Sequence, residues 1–247
     1  AKGPLLLAGV WLGWRRAWIA AVVTFVGFGA WNLLPETVYP ADSGKLWMTT
    51  WVEQIAAPAT SSGMVAEQEG IWRKFNEQNQ SLAAAVTRSF APGRGEDVIA
   101  ALVELPGGVV KFIGPGLALL LLGFAFWSLR PLRTWSDFST TTPRSVFVAR
   151  EMGIVALLSL LLSPMTSMAH FCVVSLAVLA LLRDAHLLRN KGVWALASIG
   201  LLVGLLGKDI VGREVGTHLR FYGQGTLACV FLLLALSRSS GLQTSKR

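Results

Sequence analysis

Apolar runs of membrane-spanning length, separated by polar connections, constrain this chain more than any other feature. A hydrocarbon core about 30 Å thick needs about 20 consecutive apolar residues in a helix. The sequence is 53% hydrophobic and 15% charged, whereas soluble domains carry about 25% charged residues. Its mean hydropathy is +0.55. The pattern predicts an all-α protein, a polytopic transmembrane helix bundle, and argues against a soluble domain with a large core.

The predicted membrane segments belong to one membrane domain, residues 1–247. The first apolar run is too short to span a bilayer by itself. The segments are residues 4–14 (partial), 17–34, 107–129, 146–162, 169–182, 193–207 and 221–236.

A long polar stretch, residues 35–106, interrupts these runs and holds most of the acidic residues. Within it, Gly44 to Ala57 places tryptophans at helical spacing, which predicts a helix lying in the membrane interface. Residues 71–90 form a second helical candidate, which ends at a Pro-Gly-Arg-Gly turn. We therefore expect a long extracytoplasmic loop that carries interfacial helices.

The positions of Lys and Arg in the short loops predict the orientation. Alternate loops are basic and read as cytoplasmic; their cations are Arg15, Arg16, Arg130, Arg133, Arg144, Arg183, Arg189, Lys191, Arg238, Lys246 and Arg247. The other connections, residues 35–106, 163–168 and 208–220, are then extracytoplasmic. The sequence predicts a multi-pass protein of the plasma or inner cell membrane. The net charge of +8 is distributed as loop charge, so nucleic acid is not an expected partner.

Polar residues in the first outside loop form the first candidate site. Asn79, Gln80 and Ser81 precede a helical stretch that contains Arg88. The triplet is formally a glycosylation sequon, and a simple helix cap is a stronger alternative from composition alone. The functional interpretation is that these side chains bind sugar hydroxyls or a phosphate.

The second candidate is the Ser-Pro corner between two apolar runs. Pro164 ends the outgoing helix, and His170 stands at the beginning of the next. An imidazole near lipid is costly unless it faces a cavity, water or a loop carbonyl. It either bonds a loop carbonyl or, together with Ser163, lines a cavity where it binds or protonates a phosphate oxygen.

The third candidate is the basic connection before the last apolar run, with Lys208, Arg213, His218 and Arg220. A hydrated loop touching lipid headgroups is the simpler interpretation. The functional one is a clamp for the phosphate of a lipid carrier, since Arg binds phosphate oxygens in a bidentate manner. No Cys/His spacing resembles a zinc site, and no metal ligands are predicted.

Several segments resemble glycosyltransferase family 87, multispanning polyprenyl-phosphate-mannose-dependent mannosyltransferases and their relatives. Residues 79–88 resemble the family's "NQSL…R" segment, and residues 162–170 resemble its "LSP-I-S-W-x-H-H" turn. The beginning, Lys2-Gly3-Pro4 and then Arg15-Arg16-Ala17-Trp18, is similar to a mid-chain stretch of the family, and Phe221-Tyr222-Gly223 also fits. The resemblance therefore implies a C-terminal portion of such a protein, with a GT-C-like fold.

The sequence also departs from the family pattern. Ser167 replaces the motif tryptophan, and Ala169 replaces the first of the paired histidines, so only His170 is carried over. The family's general-base carboxylate lies in the first outside loop near the N-terminus. No residue of this chain matches that position, and no catalytic carboxylate is assigned.

The resemblance implies a membrane hexosyltransferase, by family a mannosyltransferase, that uses no cofactor apart from its polyprenyl-phosphate sugar donor. A base deprotonates a hydroxyl of a lipid or glycan acceptor, the hydroxyl attacks the anomeric carbon, and the polyprenyl phosphate leaves. His170, Arg213, His218 and Arg220 are the candidates for stabilising the leaving phosphate. Asn79, Gln80, Ser81 and Arg88 would position the sugar or the loop. The alternatives are a transporter-like bundle for a lipid or anion, and an inactive membrane scaffold.

Overall fold

A computed structural model describes residues 5–39, 44–53, 76–91, 99–129, 144–163, 166–183 and 190–238. Within these ranges every regular element is helical, and no strand occurs there. The all-α prediction is therefore confirmed for the described part of the chain.

The described helices range in length from 4 to 23 residues. They are α1 (Leu5–Trp14), α2 (Trp18–Val38), α3 (Trp47–Trp51), α4 (Leu82–Phe90), α5 (Gly107–Leu129), α6 (Arg144–Leu162), a 3₁₀ helix (Met168–Val173), α7 (Val174–Arg183), α8 (Lys191–Leu205), α9 (Lys208–Val211), α10 (Arg213–Phe221) and α11 (Gln224–Arg238).

Two helices, α2 and α5, are long and apolar enough to cross a membrane. With 21 and 23 residues they extend about 31 and 35 Å at 1.5 Å per residue, which matches the hydrocarbon thickness. Only 6% of the apolar window of α2 and 17% of that of α5 are buried. Exposed side chains such as Ile19, Trp31 and Phe112 are what a lipid-facing helix presents. These observations suggest a membrane protein.

A third span is possible at the end of the described chain. Helices α10 and α11 pass the same test of length and composition when taken together, and they are bent by 61° at their junction. Gly223, with φ of 82°, lies in the break. The bend makes this pair either one broken span or a re-entrant segment.

The hydrophobic core surrounds α11, which packs against α6, α7 and α8. Leu157, Leu161, Leu232 and Leu236 are among its fully enclosed side chains. Helices α6 and α7 approach closely at Gly153, where an added Cβ would lie 3.0 Å from the Cα of Ala177. A second, smaller cluster joins α4 to α5, and it holds the polar first-loop segment against the helices.

A cluster of buried polar side chains lies where the C-terminal ends of α1 and α5 contact the first half of α6. Arg15 contacts the carboxylate of Glu151 and donates to the carbonyl oxygen of Leu129 at 3.2 Å. The indole Nε1 of Trp11 donates to Glu151 Oε2 at 3.3 Å. Arg15 is therefore a buried tie between three helices rather than a hydrated loop charge.

The first polar stretch differs from its predicted form at both ends. Helix α2 continues through Pro35 to Val38. A proline inside a helix removes one backbone hydrogen bond and can bend the helix without ending it. Helix α3 covers five residues, Trp47–Trp51, and the rest of the predicted interfacial helix, residues 54–57, lies outside the described residues. Helix α4 begins at Leu82, whereas Asn76 to Ser81 is not helical.

The predicted basic loop at residues 208–220 is also more regular than expected. It forms α9 and α10, separated by Gly212, whose φ of 86° suits glycine. The side chains of this segment are therefore held on helix faces at defined angles to each other.

Candidate functional site

The three polar segments singled out in the sequence meet at one residue, Gln80. Its backbone N–H donates to the carbonyl of Thr166 at 2.5 Å. Its side-chain Nε2 donates to the carbonyl of Arg220 at 2.7 Å, and its Oε1 accepts from the N–H of Gly225 at 3.0 Å. We call this meeting point of Gln80, Thr166, Arg220 and Gly225 the Gln80 junction.

Further bonds reinforce the junction from the first-loop side. Asn79 Oδ1 accepts from the backbone N–H of Ser81 at 3.1 Å and of Thr166 at 3.3 Å. Ser81 Oγ accepts from the N–H of Ala84 at 3.2 Å, and it thereby caps α4. The predicted capping role of Ser81 is confirmed.

Arg88 ties the same segment to the end of α10. Its Nε donates to the carbonyl of Phe221, and its Nη1 donates to the carbonyls of Asn76 at 2.8 Å and Asn79 at 2.7 Å. Burial lowers the pKa of Arg88 to about 10, opposed by the nearby charge of Glu77. The guanidinium therefore stays protonated at neutral pH, and it donates to carbonyls both in the first-loop segment and at the end of α10.

These bonds define what the first predicted set of binding residues does in the structure. Asn79, Gln80, Ser81 and Arg88 are all buried, and their polar groups bond the backbone. Their observed role is to hold the junction together. Direct contact with a substrate, as predicted from the sequence, would require breaking these bonds.

The Ser-Pro corner contributes Thr166 to the junction and His170 to its surroundings. Thr166 Oγ1 donates to the carbonyl of Leu160 at 2.8 Å, which anchors the corner to the end of α6. Pro164 lies outside the described residues, and Ser163 is half-buried with a polar contact of its own.

His170 is half-buried, and one of its ring nitrogens is fixed by the corner. Nδ1 accepts the backbone N–H of Ser167 at 2.9 Å. Because an accepting Nδ1 carries no proton, the neutral ring carries its proton on Nε2. His170 therefore presents a directed N–H donor to any acceptor that approaches from Nε2.

The basic segment separates its charged side chains into two groups. His218 and Arg220 are two residues apart on α10, and helical geometry turns them about 200° from each other. A single clamp that uses both side chains is therefore not what α10 presents. Arg213 and His218 are exposed, whereas Arg220 is half-buried beside the junction.

Glu77 is a charged neighbour of the junction that the sequence did not single out. Its Oε1 accepts from Lys208 Nζ at 2.9 Å, which links the first-loop segment to α9. Its Oε2 is buried and has no hydrogen-bond partner among the residues that the structure describes, and the same holds for Arg220 Nε and Gln224 Oε1. The only sequence signal for Glu77 is its position two residues before Asn79.

Gly223 closes the junction on the side of α4. With φ at 82° it adopts a conformation that residues with a side chain disfavour, and an added Cβ would clash with Ala85.

We expect Gly223→Ala to lower the free energy of unfolding by about 2–3 kcal/mol, because it introduces backbone strain and overpacking. Thermal or denaturant unfolding in detergent measures this loss. Gly116→Ala is the matched control, because an added Cβ there meets nothing within 4 Å; equal losses in both variants would contradict close packing at Gly223.

Metal ligation has no candidate in the described ranges, where no group of three or more His, Cys, Asp or Glu side chains is placed to hold an ion.

Comparisons with known proteins add no identification: no family model, curated protein or solved structure matches this chain.

Proposed function

We propose that this chain is a membrane glycosyltransferase that moves a hexosyl unit, mannosyl by resemblance, from a polyprenyl-phosphate sugar to a lipid or glycan acceptor. The observation that carries the proposal is the Gln80 junction. Two segments that resemble the glycosyltransferase family, residues 79–88 and 162–170, are far apart in sequence, yet Gln80 of the first bonds Thr166 of the second. Gln80 also bonds Arg220 and Gly225, which flank the third resembling segment, Phe221-Tyr222-Gly223. A shared pocket for one substrate needs such convergence.

The membrane arrangement in this proposal extends the two apolar helices to a multi-pass bundle. Helices α2 and α5 present apolar faces suited to lipid, and we propose that the remaining apolar helices also cross the membrane. The Gln80 junction then lies at the extracytoplasmic surface of the plasma or inner membrane. A polyprenyl chain would remain in the lipid while its phosphate reaches the junction.

The chemistry we assign to this chain is stabilisation of the leaving phosphate. When the bond between the anomeric carbon and the phosphate oxygen breaks, negative charge develops on the phosphate. The Nε2–H of His170 is a donor for that charge, and Arg220 and Lys208 are the cations beside the junction. Arg213 is an exposed cation two turns from Arg220 on α10, available to a phosphate at the surface. His218 faces elsewhere, so we place it outside this group.

A transporter-like bundle is the second candidate, and one observation favours it. The 61° break between α10 and α11 resembles the discontinuous helices that line transporter sites. Transporters with such breaks commonly carry them in pairs, and within the described ranges one bent pair is found. The glycosyltransferase proposal is therefore preferred.

Replacing His170 with alanine tests the proposal. In membranes that contain the protein, we expect transfer from a radiolabelled polyprenyl-phosphate hexose to fall by about tenfold to a hundredfold, because one directed donor to the leaving phosphate is lost. His186→Ala is the matched control, since it changes the same residue type in a loop predicted to face the cytoplasm.

Two results would contradict this account. Unchanged transfer by the folded His170→Ala protein would remove His170 from the site. If the unaltered protein moved the labelled lipid across the bilayer without transferring sugar, the transporter alternative would replace the proposed function.

A further inference from the structure

We infer that Lys208 and Arg220 form a binding site for a phosphate monoester, and that Glu77 is a built-in competitor that holds Lys208 until the phosphate arrives. The inference rests on the proposed function for the lipid nature of the phosphate. The geometry of the three side chains carries the rest.

The ion pair between Glu77 and Lys208 is open to solvent at its edge. Lys208 Nζ lies 2.9 Å from Glu77 Oε1, and the two side chains are 26% and 24% exposed. An ammonium group has three donors, and this contact uses one of them. Lys208 can therefore bind a second acceptor from the exposed side, where the charge of Glu77 opposes another anion.

Arg220 lies on the face of α10 that packs against the start of α9, where Lys208 is located. Helix α10 packs against the start of α9 at Gly216, where an added Cβ would lie 2.7 Å from the Cα of Lys208. Arg220 follows Gly216 by four residues, so it occupies the next turn of the same helix face. Gln80 Nε2 donates to the backbone carbonyls of both Glu77 and Arg220, at 2.6 and 2.7 Å, which brings the backbones of these two residues close together.

The net positive charge around Lys208 and Arg220 favours the binding of one anion. Arg88 bonds backbone carbonyls, and Glu77 is the acid that contacts Lys208. Arg220 has no ion pair among the described residues, and its buried Nε has no acceptor. A phosphate dianion provides acceptors for both a guanidinium and an ammonium group. Arg88, Lys208 and Arg220 against Glu77 leave an excess of two positive charges, which the dianion matches.

Glu77 would then set the affinity of the site rather than build it. Its carboxylate neutralises Lys208 and repels an incoming phosphate. At a separation of a few ångströms, the repulsion between two negative charges is strong enough to lower the affinity. Replacing it with glutamine keeps an oxygen acceptor for Lys208 and removes the repulsion. Loss of an acidic residue should therefore strengthen anion binding, which a purely structural ion pair would not do.

The experiment measures binding to the protein in phosphatidylcholine nanodiscs by isothermal titration. One arm uses inorganic phosphate, and the other uses nanodiscs that contain a polyprenyl monophosphate without sugar. We expect Glu77→Gln to tighten binding about tenfold, and Lys208→Gln or Arg220→Gln to weaken it about tenfold or more. Lys111→Gln, which removes an exposed cation from α5, is the charge-matched control and should leave affinity unchanged.

Each outcome decides something. If Glu77→Gln binds phosphate equally or more weakly while its unfolding temperature is retained, Glu77 is not a competitor. An equal loss in Lys111→Gln would show general surface charge instead of a site. Binding of inorganic phosphate without binding of the lipid phosphate would keep the anion site and overturn its lipid ligand.

A second variant covers the case in which Glu77→Gln does not fold. Glu77→Asp retains the charge on a shorter side chain that reaches Lys208 less well, and we expect an affinity between those of the unaltered protein and Glu77→Gln; an unchanged or lower affinity would overturn the competition. These measurements require no sugar transfer. Failure of transfer with the expected order of affinities would reject the proposed function and retain the site.

Discussion

Replacing Arg88 with alanine is expected to lower the free energy of unfolding by about 3–5 kcal/mol. The guanidinium donates to the carbonyls of Asn76, Asn79 and Phe221, and it also lies 5.8 Å over the ring of Phe221. Alanine removes the guanidinium donor from the buried carbonyls of Asn79 and Phe221. The first-loop segment should therefore separate from the end of α10.

The measurement is chemical or thermal unfolding followed by circular dichroism in detergent. Arg88→Lys should fall between alanine and the unaltered protein, because an ammonium group cannot reproduce the planar fork. Arg213→Ala is the control, since Arg213 is exposed at the start of α10 and should cost less than about 0.5 kcal/mol. Equal stability of Arg88→Ala and Arg213→Ala would mean that Arg88 does not hold the segment.

Replacing Glu151 with alanine should have a comparable effect at the opposite end of the helices, about 3–5 kcal/mol. Glu151 is buried with Arg15, and it also accepts from Trp11 Nε1 at 3.3 Å. Removing the carboxylate leaves a buried guanidinium without its counter-charge. The ends of α1 and α5 should then separate from the beginning of α6.

A double substitution distinguishes charge burial from simple loss of packing. Replacing both Arg15 and Glu151 with leucine removes the two charges together, and buried pairs replaced by apolar residues commonly lose little stability. We expect the double variant to be more stable than Glu151→Ala when unfolding is measured under the same conditions. If instead the loss of stability in the double variant equals the sum of the losses from the two single substitutions, Arg15 and Glu151 are not energetically coupled.

The positions of most helices could be predicted from local sequence. Apolar runs at residues 107–129 and 193–207 correspond to α5 and to α8, which covers Lys191–Leu205. These helices are predictable because the length and hydrophobicity of an apolar run are local properties of the sequence. Segment boundaries were less predictable, as the continuation of α2 to Val38 shows.

The structure changed the interpretation of the candidate site more than its location. The sequence predicts that Gln80 and Arg88 bind substrate; in the structure, Gln80 Nε2 donates to the carbonyl of Arg220 and Arg88 Nε donates to that of Phe221. Nothing local in the sequence indicates which distant carbonyl a polar side chain bonds. The contact between Glu77 and Lys208 is unpredictable for the same reason, since the two residues are 131 positions apart.

Composition and periodicity already predict a helical, apolar chain that polar segments interrupt, because both are properties of neighbouring residues. The meeting of the three polar segments at Gln80 is visible only in the folded chain, as is which of their side chains remain available to a ligand. Hydrogen bonds between segments depend on distance in space, which the order of residues along the chain does not contain.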